Sequence, residues 1–278
     1  MDVCIQQSNI NTPLIEPIVR FPNEKDAFNQ ILDSFDSISL VEMDSVQLMH
    51  RIDTKFLIRD ALLSGLLEKV LKYYRILEVN GKRISAYSTI YFDTEKVEMY
   101  MMHHNQKLNR LKVRRRSYVE SEISFLEIKT KNNKGRTIKQ RIGITKDQFE
   151  SGVLAESEHL FLNEISIQSS SLKPLLQNSF HRITLVDKDL TERVTLDINL
   201  SYKNMFDGNC KGVEGLVIIE MKQDAAYRSY FRECLNELRI KPGSISKYCL
   251  GMALLNPDLK SNGFKNKLRK INKITNNK

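Results

Sequence analysis

Four stretches of this chain alternate charged or polar side chains with apolar ones, interrupted only at Arg115. They are Lys112-Val113-Arg114-Arg115-Arg116-Ser117-Tyr118, Leu126-Glu127-Ile128-Lys129, Arg193-Val194-Thr195-Leu196-Asp197 and Ile219-Glu220-Met221-Lys222. Side chains alternate between faces with a period of two only in a β-strand, so each stretch reads as a strand with one apolar and one charged face. Arg51, Asp53, Lys55, Lys139, Arg141 and Arg182 join the charged set, in which basic residues far outnumber Asp53, Glu127, Asp197 and Glu220.

An antiparallel sheet with one face in water shows the same alternation. The case for an enclosed charged face rests on helical patterns interleaved with the strands. A helix over 60–74, with Leu62, Leu63, Leu66, Leu67, Val70 and Leu71, and another over 227–238 can cover the apolar sides and leave the charged sides looking into a common interior. That interior has to hold water, counterions or a polyanion, because unpaired ammonium and guanidinium groups are costly to bury. Arginine forks match phosphate oxygens, which points to a phosphate chain. Glu220, alone or with Glu127 or Asp197, can bind a divalent cation that bridges phosphate oxygens, and each can equally pair with a neighbouring Arg.

The remaining pattern predicts a helix capped by Asn23 and running through Phe35, then a strand over 47–59 with Ile52 and Phe56 opposite Arg51 and Lys55. Asp60 caps the first long amphipathic helix. A strand over Arg75–Val79 meets the hairpin signal Asn80-Gly81 before a strand from Ile84 to Asp93 and a short helix over Val97–His104. Lys107–Val119, Ile123–Lys131 and Arg136–Ile144 form an antiparallel meander, with Asn132-Asn133-Lys134-Gly135 as the last turn. Residues 145–177 look helical and irregular. Phe180–Asp187, Glu192–Leu200 and Leu216–Lys222 are strands, and Ser246–Leu255 is a closing helix. The fold class expected is α+β, an antiparallel β-barrel tunnel with helices packed outside, organised as an arm over 1–22, one domain over 23–258 and a basic tail over 259–278.

The formal charge is +9, but seven Lys or Arg and no acid lie between Lys260 and Lys278, so removing them leaves the body at +2. The tail is expected to be a solvated end or a contact for an anionic membrane or polyanion. Cys4, Cys210, Cys234 and Cys249 lie far apart without a C-x-x-C pair, which gives neither a disulfide framework nor a zinc site. No apolar run approaches a membrane span and no leader pattern opens the chain, so the expectation is a soluble, cytoplasmic protein. P-loop, dinucleotide-binding and H-E-x-x-H patterns are absent, and His50, His103, His104, His159 and His181 lack ligand spacing. Tyr87, Tyr91 and Tyr118 form no stacking signature, so no specific nucleic acid is expected.

The order Arg51-x-x-x-Lys55, Tyr91-Phe92-Asp93-Thr94, Lys112-x-Arg114-x-Arg116-x-Tyr118, Glu127-x-Lys129, Arg182, Arg193-x-x-x-Asp197, Glu220-x-Lys222 and Ser246-Lys247-Tyr248 resembles the VTC domain. This is the polyphosphate polymerase module of the vacuolar transporter chaperone family, within the CYTH or triphosphate tunnel superfamily. Similarity runs from about residue 25 to 257. The resemblance implies a triphosphate tunnel that transfers the γ-phosphate of ATP to a growing inorganic polyphosphate and releases ADP, with manganese or magnesium as cofactor. It implies that Arg114, Arg116, Lys129, Arg182 and Lys247 surround the transferring phosphate. Arg51, Lys55, Lys112, Lys139 and Arg193 would bind further phosphates, and Glu220 would hold the metal. Eukaryotic members carry a basic residue where this chain has Ser244, and they add an SPX module and membrane segments that this chain lacks, so it is closer to stand-alone bacterial relatives. Alternatives within reach of the same residues are a CYTH-type triphosphatase, which usually opens with an E-x-E-x-K strand where this chain has Arg51-Ile52-Asp53-Thr54-Lys55, and a non-catalytic polyphosphate-binding module.

Overall fold

A computed structural model describes residues 25–44, 51–134, 136–224 and 228–276. The expected arm over 1–22 and the Asn23 cap lie outside the described residues, as does the side chain of Arg51. The chain opens with α1 (Lys25–Asp33), β1 (Asp36–Ile38) and α2 (Leu40–Asp44), followed by β2 (Arg51–Arg59), α3 (Leu63–Val70) and β3 (Tyr74–Leu77). Next come β4 (Ser85–Thr94), α4 (Glu98–His104), β5 (Arg110–Tyr118), β6 (Ile123–Lys131) and β7 (Thr137–Ile144). Two short helices, α5 (Lys146–Glu150) and α6 (Glu156–Glu164), lead into the long strands β8 (Leu172–Asp187) and β9 (Glu192–Asn204). The last elements are β10 (Cys210–Val213), β11 (Leu216–Asp224), α7 (Tyr230–Glu237), α8 (Lys247–Leu255) and α9 (Lys265–Asn276).

The main sheet runs β2-β11-β9-β8-β4-β5-β6-β7, antiparallel throughout. Among the described residues β2 and β7 do not pair, so the sheet is not a closed barrel. It is strongly curled nonetheless. Lys55 of β2 and Lys129 of β6 stand six spacings apart in the sheet order, about 29 Å if the sheet were flat, yet both line one cavity. The curl makes a concave face, and the strand parity decides what faces it.

On the convex side, Phe56, Ile58, Ile183, Leu185, Val194, Leu196, Ile219 and Met221 form one buried core with α1, α3 and α7. Leu66 and Leu67 of α3 are fully buried there, each worth about 1.5–3 kcal/mol by area removed from water. A second convex core joins Ile90, Phe92, Val113, Leu126 and Ile128 to Phe149 and Leu162 of α5 and α6. Arg115 breaks the alternation of β5 and points into this apolar side, where it is 0% exposed. Its guanidinium donates to both carboxylate oxygens of Glu158 (2.8 and 2.6 Å) and to the carbonyls of Ser151 and Val153. A buried pair with its remaining donors satisfied anchors α6 to the sheet without exposing an orphaned charge.

Several sequence expectations change. Asn80 and Gly81 adopt the positive φ of a tight turn, and Val79 and Lys82 exchange both backbone hydrogen bonds across it. The flanking strands do not pair with each other, however. β3 and β4 lie end to end along the same edge of β8. Within 145–177 the helices are present, but β8 begins at Leu172, eight residues before Phe180. Pro174 hides that start, since proline argues against a central strand, and a register shift opposite Tyr91 and Phe92 accommodates it. β9 continues past Leu200 through a bulge at Asn199 (φ 53°), which flips the side-chain parity and erases the alternation. The helix expected from Asp60 is a 3-10 turn, Asp60–Leu62, followed by α3.

Not all helices pack outside. α8 lies on the concave face, where Tyr248, Cys249, Leu250 and Met252 share a buried core with Tyr91, Leu176, Phe180, Leu200 and Tyr202. Gly251 permits this contact, because a Cβ there would stand 2.4 Å from the Tyr202 ring and 2.7 Å from Leu176. The basic tail also differs from a solvated end. α9 is amphipathic, buries Ile271 and packs against β2 and β11.

Candidate active site

The concave face collects its charges from parity and register together. β5 presents Arg110, Lys112, Arg114 and Arg116, opposite Lys131, Lys129, Glu127 and Phe125 of β6. β6 in turn sets Lys129 beside Lys139 and Glu127 beside Arg141 of β7. On the other wall Lys55 pairs with Glu220, and Lys222 with Arg193. The row Lys112, Lys129, Lys139 puts like charges directly opposite across three strands, an arrangement that destabilises a sheet unless an anion lies over it.

At the centre stands Asp197, 1% exposed. Arg182 of β8 donates to both its oxygens, at 2.6 and 2.9 Å, and Lys247 Nζ from the first turn of α8 donates to Oδ2. Burial would raise this carboxyl, yet Arg182 and Lys247 bring it down to about 2. Phe180 and Tyr87 lie beneath these cations. Lys247 Nζ is 4.3 Å from the Phe180 ring centre and the Arg182 guanidinium 4.8 Å from that of Tyr87.

Arg114 donates to Glu127 Oε2, with Nη2 at 2.6 Å, whereas Arg116 makes only a long hydrogen bond to Thr89 Oγ1 at 3.3 Å. Burial, and then the charge of Arg114, hold Arg116 below its ordinary basicity. Burial also lowers Lys247 to about 8, helped by Arg182 and opposed by Asp197. Lys112 is lowered to about 8 by burial and by Lys129, Arg114 and Arg110, while its Nζ donates to Ser246 Oγ at 2.8 Å. These cations are crowded beyond what the nearby carboxylates neutralise. A bound anion would relieve the crowding.

The structure brings Arg114, Arg116, Arg182 and Lys247 onto one face around Asp197 and Glu127, with Lys55, Lys112, Lys129 and Glu220 adjoining. Lys139 is exposed on the outer strand β7. Arg193 sits at the far end of β9 and donates from Nη2 to the Met43 carbonyl of α2, so backbone contact holds it there. Arg51 begins β2, its side chain outside the described residues.

Glu220 Oε1 is 2.8 Å from Lys55 Nζ. Burial favours its neutral form, but Lys222 and Lys55 outweigh that and hold it well below the usual carboxylate range. Among the described residues no three His, Cys, Asp or Glu gather in a metal-holding group. Asp197 and Glu127 are each held by a guanidinium group, whereas Glu220 is held by the ammonium of Lys55. One carboxylate with phosphate oxygens and water completing the shell is how magnesium-like ions enter phosphoryl-transfer sites. The donor set therefore fits an ion carried in by the phosphates and does not fit a protein-built cage.

Sequence reasoning missed the groups that hold α8 in place. Asp93 is fully buried, accepts from the backbone N–H groups of Met99 and Tyr100 at the start of α4, and takes the Tyr248 hydroxyl at 2.5 Å. This strut ties α8, and with it Lys247, to β4. Its signal was the aspartate ending the apolar run Tyr91-Phe92, visible as a motif but without a physical role. Arg110, Lys131 and Lys267 were also missed as members of the basic face.

The profile of the VTC domain matches residues 50–256. Among curated proteins none matches the sequence. The chain is similar to a solved candidate adenylate cyclase from Bacillus halodurans at 16% identity and a TM-score of 0.47, covering 71% of this chain and 94% of that one. It is also similar to a candidate adenylyl cyclase from Hippeastrum described as having a dominant triphosphatase activity, at 14% identity and a TM-score of 0.48, covering 76% and 100%. Among the described residues no helix is long and apolar enough to cross a membrane.

Proposed function

The chain belongs to the VTC domain family, and from that premise we propose that its basic lumen is the active centre of a polyphosphate polymerase that uses ATP. The observation that carries this reading is the convergence of Arg182 and Lys247, from a strand and a helix start, on Asp197 within the face that also presents Arg114 and Arg116.

Phosphoryl transfer asks little covalent help of a protein and much positioning and charge neutralisation. Arg114, Arg116 and Arg182 offer planar forks to the β- and γ-phosphates, and Lys247 adds a point charge. A terminal oxygen of the acceptor chain, already ionised at neutral pH, attacks the γ-phosphorus. The new P–O bond forms as the bond to the β,γ-bridging oxygen breaks, and ADP leaves with that electron pair. No proton has to be removed from the nucleophile, which agrees with a lumen in which Asp197, Glu127 and Glu220 are each engaged by cations. Lys55, Lys112, Lys129 and Lys139 hold phosphates on either side of the reacting one. A divalent ion, manganese or magnesium, supplies extra neutralisation of the transferring charge when bound, with Glu220 as its protein ligand. ATP as donor makes the cytoplasm the expected location.

Incubation of the purified protein with ATP and manganese, followed by assay of ADP, free phosphate and long-chain polyphosphate, tests the reading. Polymer with ADP is the expected result. Free phosphate without polymer would assign a triphosphatase, and salt-sensitive binding without turnover a binding module. Arg114→Ala and Arg116→Ala are each expected to lower polymer formation about 10²-fold or more while the circular dichroism spectrum is kept. Near-normal yield from either variant would overturn the assignment of the lumen.

A further inference from the structure

One end of the basic face opens into a cavity of about 580 Å³ lined by Lys55, Arg110, Lys112, Lys129, Lys131 and Lys267. Among the described residues no carboxylate lines it. The centre of the lumen is different, since there Arg182, Lys247 and Arg114 each have an acidic partner, and Lys55, at the junction of the two, is paired with Glu220. Among the described residues Arg110, Lys112, Lys129, Lys131 and Lys267 make no ion pair, and two buried nitrogens in the wall, His103 Nε2 and Arg110 Nε, have no hydrogen-bond partner. Burial first, and then the charges of Lys112, Arg110 and Lys129, bring the His103 imidazole down to about 3. So many like charges without a carboxylate among them make the cavity a favourable place for an anion.

Lys267 comes from a part of the chain beyond the region shared with the family, which ends at residue 256. That part is firmly seated. The Gly263 N–H donates to His104 Nε2 at 3.0 Å, and a Cβ on Gly263 would come within 2.9 Å of the His104 carbonyl oxygen. The Tyr100 hydroxyl donates to the Lys260 carbonyl at 3.0 Å, Phe264 meets the Tyr100 and His104 rings edge-on, and Ile271 is buried. α9 packs on β2 and β11 and shares the cavity with Thr137 of β7, so it spans the seam that the unpaired edges β2 and β7 leave open.

We infer that α9 completes a second anion chamber, continuous with the lumen through Lys55, Lys112 and Lys129, which receives the inorganic polyphosphate chain beyond the reacting phosphate and holds long chains on the enzyme. This rests on the polyphosphate reading above. Along β5 a cation recurs every two residues, about 6.7 Å, from Arg116 through Arg114 and Lys112 to Arg110, so the rail runs from the centre of the lumen into the chamber without a break.

Equilibrium binding of tripolyphosphate and of long-chain polyphosphate, without ATP, tests the inference on the full-length protein. Lys267 is exposed, so Lys267→Glu leaves the fold intact, as an unchanged melting temperature would verify. The substitution is expected to weaken long-chain binding about tenfold, the worth of one charge-assisted contact, and to change tripolyphosphate binding less than about twofold. Lys131→Glu, on the facing wall, should act the same way, and Lys267→Arg should restore wild-type affinity. Long-chain binding by both Glu variants equal to wild type would overturn the chamber, as would equal loss for both ligands or full competition by single-stranded RNA at matched charge. The binding readout needs no turnover. A wild type that makes no polymer but loses long-chain affinity on Lys267→Glu would remove the polymerase reading and leave the chamber standing.

Discussion

Replacing Asp197 by Asn separates what the lumen contributes to the fold from what it contributes to substrate. Asp197 neutralises two cations at once, Arg182 through two hydrogen bonds and Lys247 through one, at a site only 1% exposed. Its fall from the ordinary 3.8 to about 2 corresponds to about 2–3 kcal/mol of native-state stability at neutral pH. Removing one partner of a buried ion pair gives a similar figure, about 3–5 kcal/mol. Taking about 3 kcal/mol, and about 2–4 °C per kcal/mol for a domain of this size, the variant should melt about 6–12 °C below wild type at pH 7. The sign with pH follows from a folded-state value below the unfolded one. The contribution is complete above about pH 4 and is lost as pH falls towards 2, so the two melting curves should converge in acid. Tripolyphosphate supplies the missing negative charge, so its stabilising effect should be larger in Asp197→Asn than in wild type. Differential scanning calorimetry at pH 7 and pH 3, with and without tripolyphosphate, measures all of this. Equal melting temperatures at pH 7, or a gap that tripolyphosphate widens, would refute the reasoning that Asp197 is the internal counter-ion of the site.

Other perturbations probe the scaffold. Glu192 is fully buried, accepts from the Tyr74 hydroxyl at 3.1 Å, and is pushed up to about 7 mainly by burial, with Asp187 adding to the effect. Its contribution is present below its unfolded value and lost as pH rises through about 7, so Glu192→Gln should raise the urea midpoint at pH 8 and leave it nearly unchanged at pH 5; a loss at both would contradict this. Gly251→Ala drives a methyl into the Tyr202 ring and should cost about 1–3 kcal/mol by overpacking. Because α8 carries Lys247, the same variant should lose polymer synthesis at temperatures where it remains folded. Full activity would separate the seat of α8 from catalysis.

Much of the basic face was legible as alternation. Lys112, Arg114 and Arg116, Glu127 and Lys129, and Glu220 and Lys222 are paired by a local rule that a strand obeys whatever surrounds it. The rule fails where the backbone breaks period. The bulge at Asn199 flips β9 after the charged residues have been passed, and that flip turns Leu200 and Tyr202 onto the concave face as a seat for α8. The Lys247 contact with Asp197 depends on that seat, and a motif search sees only Ser246-Lys247-Tyr248. Likewise the helical pattern of α9 is readable, but Lys267 belongs to the basic cavity only because the sheet curls without closing.

The chain by itself determined which side chains share a face and how strongly basic that face is, because side-chain alternation is a property of each strand alone. Tertiary structure decided that the basic faces enclose a common space, that one helix enters it and that another walls its open seam. Those outcomes depend on the curl of eight strands and on close approaches at Gly251 and Gly263, which are sums over distant parts of the chain and leave no periodic mark in any one of them.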